Sequence, residues 1–232
     1  LGVLQIILGL SMIAPILAQF FYNELDSGFI SSGIVTIIFG VLFLLTNLDH
    51  DKEISLPQAF LLTALSWLSI AIFGSLPFIF SEIELSTTDA FFESMSGITT
   101  TGATIITDLD NSPKSILLWR AILQWLGGIG IVVMAITILP LLKVGGMQLF
   151  KMEGPDSTEK ILPRTIEVAT IIISTYLILT FFCGTFYWLF GMSIFDSIAH
   201  AMTTIATGGF ATHNDSIGFF KSSNIEIIAS IF

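Results

Sequence analysis

Two short runs of threonine and glycine supply oxygen atoms of the kind that bind cations. We call residues 99–103 the first loop and residues 206–210 the second loop. They comprise Thr99, Thr100, Thr101, Gly102 and Ala103, and Ala206, Thr207, Gly208, Gly209 and Phe210. A cation that leaves water must have its hydration shell replaced by oxygen, and rings of backbone carbonyls do this for potassium. Neither loop contains a carboxylate, and neutral oxygens suit a monovalent cation better than a divalent one.

Glycine and threonine serve this chemistry in different ways. Glycine lets the chain adopt the unusual dihedral angles that turn successive carbonyls inward. Threonine adds a hydroxyl oxygen without adding charge. A helix that ends at the loop would direct its negative carbonyl end toward the ion. Amphipathic segments at residues 86–98 and 197–205 predict such a helix before each loop.

The two loops occupy corresponding places in an internal repeat. Shifting residues 89–104 onto residues 196–211, by 107 positions (196 − 89), aligns matching residue types. The aligned pairs include Asp89 with Asp196, Met95 with Met202, Ser96 with Thr203, Ile98 with Ile205, Thr100 with Thr207 and Gly102 with Gly209. Polar backbone between membrane spans must line a cavity or be buried in protein, because lipid cannot satisfy it. The repeat therefore predicts two re-entrant pore loops rather than ordinary surface loops.

The composition is that of an integral membrane protein. Hydrophobic residues make up 53% of the chain and charged residues 11%, against about 25% charged residues in soluble domains. The formal net charge of −10 argues against nucleic acid as a partner. A single cysteine, Cys183, excludes a disulfide within the chain. We expect membrane lipid to surround the apolar segments.

Hydrophobic runs predict the helices that hold the loops. The runs at residues 2–22, 29–47, 58–80, 115–142 and 165–190 each approach or exceed the roughly 20 residues that a bilayer requires. Pro15 is expected to kink the first. The glycines at 127, 128 and 130 are expected to interrupt the fourth and to allow close helix packing. The fold class is therefore all-α, with repeated membrane–pore-loop–membrane units.

This pattern divides the chain into four parts. Residues 1–56 form two extra N-terminal spans, and residues 57–142 form the first repeat. Residues 143–163 form a cytoplasmic linker, and residues 164–232 form a truncated second repeat. Since the hydrophobic run at residues 225–232 is too short to span a membrane, we expect the natural chain to continue. We expect it to be about twice this length, with two more loops completing the pore.

Basic residues predict the orientation. If the spans alternate, Lys52, Lys143, Lys151, Lys160 and Arg164 fall on one side, which should be cytoplasmic. The opposite side is rich in Asp and Glu, and both loops enter from it. An acidic mouth concentrates cations.

At these residues the chain resembles the Trk/Ktr/HKT superfamily of cation transporters. Within it, the chain is similar to the N-terminal half of the bacterial TrkH-type potassium uptake subunits. The residues that carry the resemblance are 96–104 (SGITTTGAT), 124–128 (QWLGG), 160–164 (KILPR) and 206–210 (ATGGF). The resemblance implies four such repeats around a pseudo-fourfold, channel-like pore in the bacterial inner membrane. It also implies a homodimer and a cytoplasmic nucleotide-binding regulatory subunit, which is TrkA in the Trk systems.

The resemblance also implies roles for the loop residues. Gly102 and Gly209 would be the filter glycines, and Thr100, Thr101, Thr207 and Gly208 would lend oxygens to the transported potassium ion. The second loop has Ala206 and Gly208 where the first has Thr99 and Thr101. This difference predicts an imperfect fourfold filter, which leaves the strictness of potassium over sodium selectivity open. No organic cofactor is implied in this chain.

Several polar residues near the loops have more than one interpretation. Glu93 and His200, which align in the repeat, could face the vestibule or support the loops by hydrogen bonds. Arg120 could reach outward or pair with an acidic residue. His213 and Asp215 could suggest a metal pair, but a solvated loop fits them better because no further ligand follows.

Three other functions compete with potassium uptake. The alternative transport function is secondary transport of another cation or solute, coupled to sodium or protons. An intramembrane enzyme would need a catalytic motif, and the chain has neither GxSxG nor HExxH. A membrane scaffold would not need two matching polar loops. The prediction is therefore a transporter or channel subunit and no enzyme.

Overall fold

The computed structural model describes residues 1–24, 26–46, 56–83, 85–142 and 158–232. Within these ranges the chain consists of helices and loops, with no β-strand. In chain order the helices are α1 (Gly2–Ser11), α2 (Ile13–Tyr22), α3 (Gly28–Leu45), α4 (Leu56–Phe80), α5 (Thr87–Ile98), α6 (Lys114–Leu142), α7 (Thr158–Leu189), α8 (Ile194–Ile205) and α9 (Ser223–Ile231), with a short 3₁₀-helix at Ser216–Phe220 before α9.

Four helical segments in the described part of the chain are long and apolar enough to cross a membrane. They are Gly2–Tyr22, which comprises α1 and α2, Gly28–Leu45, Pro57–Phe80 and Glu167–Leu189. They match four of the predicted spans and confirm the all-α membrane class. Large apolar side chains remain exposed on them, including Phe20 and Phe181. Such surfaces suit contact with lipid or with further protein.

The first span is interrupted three residues before Pro15, the residue at which a kink was predicted. The helix is interrupted at Met12, where the backbone N–H bonds to the Gly9 carbonyl three residues earlier. Proline lacks an N–H, and its ring crowds the carbonyl four residues earlier, which here belongs to Ser11. The first span is therefore built from two helices of ten residues each.

Helix α6 lies at the centre of the described structure. It packs against α2, α4, α5, α7 and α8. Its first turn is capped by Glu24, whose carboxylate accepts from the Lys114 N–H at 2.5 Å and the Ser115 N–H at 3.1 Å. The Trp119 indole donates to the Gly74 carbonyl of α4 at 2.9 Å. Helix α6 therefore connects the N-terminal spans to both repeats.

One prediction about α6 was wrong. The glycines at 127, 128 and 130 do not interrupt it, because α6 is continuous from Lys114 to Leu142. Glycine is unfavourable in a helix interior by only about 1 kcal/mol relative to alanine, and packing readily offsets that amount. The predicted close packing is confirmed, since a Cβ at Gly127 would overlap the Ile98 carbonyl at the end of α5.

The two short helices α5 and α8 begin with the same capping arrangement. Ser86 and Ser193 are the N-cap residues, and their hydroxyls accept from the N–H groups of Asp89 at 3.2 Å and Asp196 at 3.0 Å. Each hydroxyl also donates to the carboxylate of that Asp, at 2.8 and 2.7 Å. This reciprocal cap explains why α8 begins at Ile194, three residues before the predicted start.

Most of the predicted cytoplasmic linker lies outside the described residues, as does Lys52. Helix α7 begins at Thr158, inside the segment predicted as linker. The last helix, α9, covers most of the hydrophobic run at residues 225–232.

Candidate functional site

The second residue of each loop is a threonine in the left-handed backbone region. Thr100 has a φ of 56° and Thr207 a φ of 55°. Two residues later, Gly102 has a φ of 78° and Gly209 a φ of 81°. A positive φ is ordinary for glycine, but for a β-branched residue it is an outlier that costs on the order of 1–3 kcal/mol. A positive φ at threonine occurs at equivalent positions of both repeats. It is therefore a shared feature of the two loops and not an accident of one of them.

The hydrogen bonds that end α5 and α8 are also the same. The Thr100 N–H donates to the Gly97 carbonyl and the Thr101 N–H to the Ser96 carbonyl, each at 2.9 Å. In the second repeat the Thr207 N–H donates to the Thr204 carbonyl and the Gly208 N–H to the Thr203 carbonyl, again each at 2.9 Å. This is a Schellman motif, with threonine where glycine is usual. Helices α5 and α8 therefore end with the same local backbone geometry, which continues into the two loops.

The structure brings the two loops into contact. A Cβ atom added at Gly102 would overlap the Gly208 carbonyl oxygen. A Cβ at Gly209 would meet no atom within 4 Å in the described structure. Glycine is therefore required at position 102 both by its positive φ and by the nearby Gly208 carbonyl. At position 209 glycine is required by its positive φ alone.

Hydroxyl groups in both loops donate their protons to protein atoms. Thr99 Oγ1 donates to the Met95 carbonyl at 2.7 Å and lies 2.8 Å from Thr101 Oγ1. Because Thr99 has one hydroxyl proton, Thr101 must be the donor between the two threonines. Thr207 Oγ1 donates to the Ala206 carbonyl at 2.7 Å. The oxygens of Thr101 and Thr207 therefore turn lone pairs, rather than protons, toward their remaining surroundings.

The predicted site residues differ in their exposure. Thr101, Ala103, Thr207 and Gly209 are exposed, and Thr99, Thr100 and Gly102 are half-buried. Ala206, Gly208 and Phe210 are buried. The Phe210 ring lies under the Arg120 guanidinium, with 4.1 Å between Cζ and the ring centroid, so this side chain packs behind the second loop.

Gln124 of α6 lies behind both loops. Its side chain is fully buried, and its Oε1 accepts from the Phe210 N–H at 3.0 Å. A Cβ at Gly208 would overlap the same amide group, and Gly102 also lies close to it. Sequence reasoning gave Gln124 no role, although a glutamine within an apolar span was a signal that could have found it.

Glu93 and Arg120 form a buried ion pair, with 2.7 Å between Oε1 and Nε. Glu93 accepts from Thr104 Oγ1 at 2.8 Å and from the Ile105 N–H at 3.1 Å, just after the first loop. The structure therefore favours the interpretation of Glu93 as a residue that supports the first loop by hydrogen bonds. It also favours the interpretation of Arg120 as the partner of an acidic residue. His200 differs from Glu93, because its Nδ1 lies 3.0 Å from the Asp196 carbonyl within its own helix.

Ser96 also holds the first loop, since its hydroxyl donates to the Ala103 carbonyl at 2.6 Å. The aligned Thr203 donates instead to the His200 carbonyl at 3.2 Å, within α8. In the second loop, the corresponding support comes from Gln124, which accepts from the Phe210 N–H. The two loops therefore begin with the same backbone conformation but are held by different side chains.

The segments that follow the two loops meet at the side predicted to be external. His213 Nδ1 lies 2.6 Å from Asp110 Oδ1, and Asn214 Oδ1 accepts from the Leu109 N–H at 2.9 Å. The hydrogen bond from His213 holds the pKa of the Asp110 carboxyl below its usual value of 3.8. The described residues contain no group of three or more His, Cys, Asp or Glu side chains that could hold a metal. His213 pairs with Asp110 and not with Asp215, so the metal-pair interpretation receives no support.

The model of the TrkH family, described as a cation transport protein, matches residues 26–232. The chain belongs to the TrkH family. It is therefore a multi-pass protein of the inner membrane, as its apolar helices also indicate.

Relatives within the TrkH family match the chain along its whole length. The chain is 42% identical over 236 aligned residues to a Trk system potassium uptake protein TrkH from Vibrio parahaemolyticus, covering 100% of this chain and 48% of that protein. It is 44% identical over 236 residues to one from Halomonas elongata, covering 100% of this chain and 49% of that protein. The chain therefore spans about half the length of these relatives.

A solved structure supports the fold. The crystal structure of the potassium transporter TrkH from Vibrio parahaemolyticus superimposes with a TM-score of 0.86 at 38% sequence identity. The match covers 99% of this chain and 47% of that one. The helical arrangement described above is therefore that of the TrkH family.

Proposed function

We propose that the protein takes up potassium across the cytoplasmic membrane through a filter to which the first and second loops contribute. The observation that carries the proposal is the backbone geometry that the two loops share, with left-handed Thr100 and Thr207 followed by left-handed Gly102 and Gly209. Relatives that match the whole chain at 42–44% identity are named potassium uptake proteins.

The electrostatics of the loops favour a cation. Helices α5 and α8 end at Ile98 and Ile205, immediately before the loops. The C-terminus of a helix carries about half a negative charge, so both helix ends would attract a cation. In the proposed filter, oxygens of Thr100, Thr101, Thr207 and Gly208 contact potassium. The lone pairs of Thr101 and Thr207 suit this role because their protons are donated elsewhere.

In this proposal the two loops are re-entrant and form half of a pseudo-fourfold ring. Two loops offer oxygens to one side of an ion, and a complete hydration shell is replaced from all sides. The proposed whole protein therefore contains two more loops of this kind, forms a homodimer in the lipid bilayer, and binds a TrkA-like nucleotide-binding subunit near residues 143–164. The alternative function is secondary transport of another cation or solute, and the experiment below distinguishes it from potassium uptake.

The test compares glycines inside and outside the loops. Gly102→Ser and Gly209→Ser are introduced into the complete gene product that carries this sequence, in cells without other potassium uptake systems. Uptake of rubidium, as a potassium analogue, and of sodium is measured after potassium starvation. Both variants should lower the ratio of rubidium to sodium uptake, because each places a side chain on a left-handed residue of the filter.

Two matched controls separate the filter from general strain. Gly191 also has a positive φ, of 108°, and a Cβ there would meet no described atom within 4 Å, while Gly218 has the same open surroundings among the described residues without a positive φ. Gly191→Ser and Gly218→Ser should leave the uptake ratio unchanged. If Gly102→Ser and Gly209→Ser keep the wild-type ratio at normal expression, these glycines do not belong to a filter. Uptake of an organic solute in place of rubidium would favour the alternative transport function.

A further inference from the structure

The ion pair of Glu93 and Arg120 is the most completely buried pair of charges in the described structure. The two side chains are 0% and 1% exposed, and 2.7 Å separates Oε1 from Nε. Glu93 lies in α5, before the first loop, and Arg120 lies in α6. Since the two charges cancel, the pair adds no net charge beside an ion path.

The two partners are attached to different loops. Glu93 binds the chain just after the first loop, through the Thr104 hydroxyl and the Ile105 N–H. Arg120 donates from Nη1 to the Ala211 carbonyl at 3.0 Å, just after the second loop, and covers the Phe210 ring. The ion pair is therefore a continuous connection from one loop to the other, from Ile105 through Glu93 and Arg120 to Ala211.

The ion pair has no counterpart in the second repeat among the described residues. Shifted by 107 positions, Glu93 aligns with His200, whose Nδ1 lies 3.0 Å from the Asp196 carbonyl within its own helix. A pair needed simply to build one repeat would be expected in both, whereas this pair occurs once among the described residues, where two loops meet.

Stability alone is a poor explanation for the pair. The desolvation of two buried charges often exceeds their attraction, and apolar replacements of similar volume are often neutral or stabilising. Position is a better explanation, because the guanidinium plane offers several donors in fixed directions. Arg120 uses Nε for Glu93 and Nη1 for Ala211, while its Nη2 has no hydrogen-bond partner among the described residues.

We propose that Glu93 and Arg120 are positioning residues, and that their ion pair sets the spacing of the two loops and thereby the preference among monovalent cations. This inference rests on the proposed function. It adds to the proposed filter two residues that do not contact the ion and yet determine its selectivity.

The test uses variants that remove both charges together. In the complete gene product, Glu93→Gln/Arg120→Met leaves no unpaired buried charge, so the protein should still fold, but the connection from Ile105 to Ala211 through this pair is lost. The ratio of rubidium to sodium uptake should fall about tenfold, as expected when a displaced oxygen costs the preferred ion the equivalent of one hydrogen bond. Asp89→Asn and Lys114→Gln change charges on the same two helices without touching this connection, and should leave the ratio unchanged.

Arg120→Lys provides a second variant if the double variant does not reach the membrane. Lysine can pair with Glu93, but its single ammonium cannot also reproduce the fixed bond to Ala211, so the ratio should again fall at normal expression. A ratio within twofold of wild type in these variants, while Gly102→Ser lowers it, would overturn the positioning role and leave the filter intact. If Gly102→Ser is also without effect, the proposed filter itself is wrong and the role of the pair is overturned with it.

Discussion

Thr100 and Thr207 have the same left-handed backbone conformation in two repeats, with φ angles of 56° and 55°. Each occupies the position of a Schellman motif at which glycine is usual. Strain of this kind persists only where the surrounding structure fixes it, and it concentrates at binding sites. The strained threonine is therefore the feature that best separates these loops from ordinary helix ends.

Replacing the strained threonines by glycine should improve stability and impair selectivity. Thr100→Gly and Thr207→Gly relieve strain of about 1–3 kcal/mol, which exceeds the entropic penalty of roughly 0.5–1 kcal/mol for glycine. We expect a small rise in the thermal unfolding midpoint of the purified protein, with a lower ratio of rubidium to sodium uptake. Thr100→Val keeps the branched shape and removes the hydroxyl alone, so it should lower uptake selectivity without the gain in stability. A lower unfolding midpoint in both glycine variants would contradict the conclusion that Thr100 and Thr207 are strained.

Gln124 should be required for the second loop rather than for the helix in which it lies. Gln124→Met preserves side-chain volume but removes the acceptor of the buried Phe210 N–H. Leaving a buried donor unsatisfied costs about 1–3 kcal/mol, and we expect both the unfolding midpoint and the rubidium to sodium ratio to fall. Gln19→Met, at a buried glutamine of α2, is the matched control and should leave the ratio at the wild-type value. Equal effects of the two variants on the ratio would argue against a specific role for Gln124.

Gly127 and Gly130 lie one turn apart in α6 and should respond oppositely to alanine. A Cβ at Gly127 would overlap the Ile98 carbonyl, whereas a Cβ at Gly130 would meet its nearest described atom, of the Trp67 ring, at 3.8 Å. Gly127→Ala should therefore destabilise the protein by about 1–3 kcal/mol and displace the end of α5. Gly130→Ala should be neutral or stabilising by up to about 1 kcal/mol. Thermal unfolding in detergent compares them, and a tolerated Gly127→Ala would show that α5 and α6 do not approach so closely.

Asp110 should contribute to stability in a pH-dependent way through His213. Its carboxyl has a pKa below 3.8 in the folded protein because of the hydrogen bond from His213. A depressed carboxyl pKa gives stability that is present above the unfolded pKa and is lost as the pH falls through the folded pKa. The difference in unfolding midpoint between wild type and Asp110→Asn should therefore persist from pH 7 to about pH 4 and disappear below it. The absence of any difference in unfolding midpoint at pH 7 would mean that the carboxylate does not stabilise the folded state.

The sequence predicted the elements better than the contacts between them. Hydrophobic runs and the shift of 107 positions were sufficient for the spans, the half-helices and the two loops, because burial in lipid leaves a strong signal in composition. They could not predict that Gly102 meets Gly208, or that Arg120 connects Glu93 to Ala211. The contacts of Gly102 with Gly208 and of Arg120 with Ala211 join residues about 90 or more positions apart, and Glu93 and Arg120 are 27 positions apart. Their geometry depends on packing that no local pattern contains. The continuous course of α6 was missed because glycine propensity is weak against tertiary packing.

The orientation of the chain in the membrane provides the last prediction. Residues 143–164 carry four basic residues near the ends of two spans, which predicts a cytoplasmic location. In this scheme the loop at residues 108–113 lies on the opposite side. Glu24, which contacts the start of α6, and His213, which contacts Asp110, lie on the same side as this loop. Asn111 is exposed in this loop, and its side chain donates to the carboxylate of nearby Asp108. It is therefore a suitable external position for a single cysteine.

Asn111→Cys and Gln148→Cys are compared in a Cys183→Ala background, which removes the one native cysteine. An impermeant thiol reagent applied to intact cells should label Asn111→Cys and leave Gln148→Cys unlabelled, and permeabilised cells should be labelled at both. Glu82→Cys, at an exposed position between α4 and α5, should behave like Asn111→Cys because both loops enter from that side. Labelling at Gln148→Cys with protection at the other two positions would invert the orientation. Both loops would then open to the cytoplasm, where an acidic mouth could not collect external potassium.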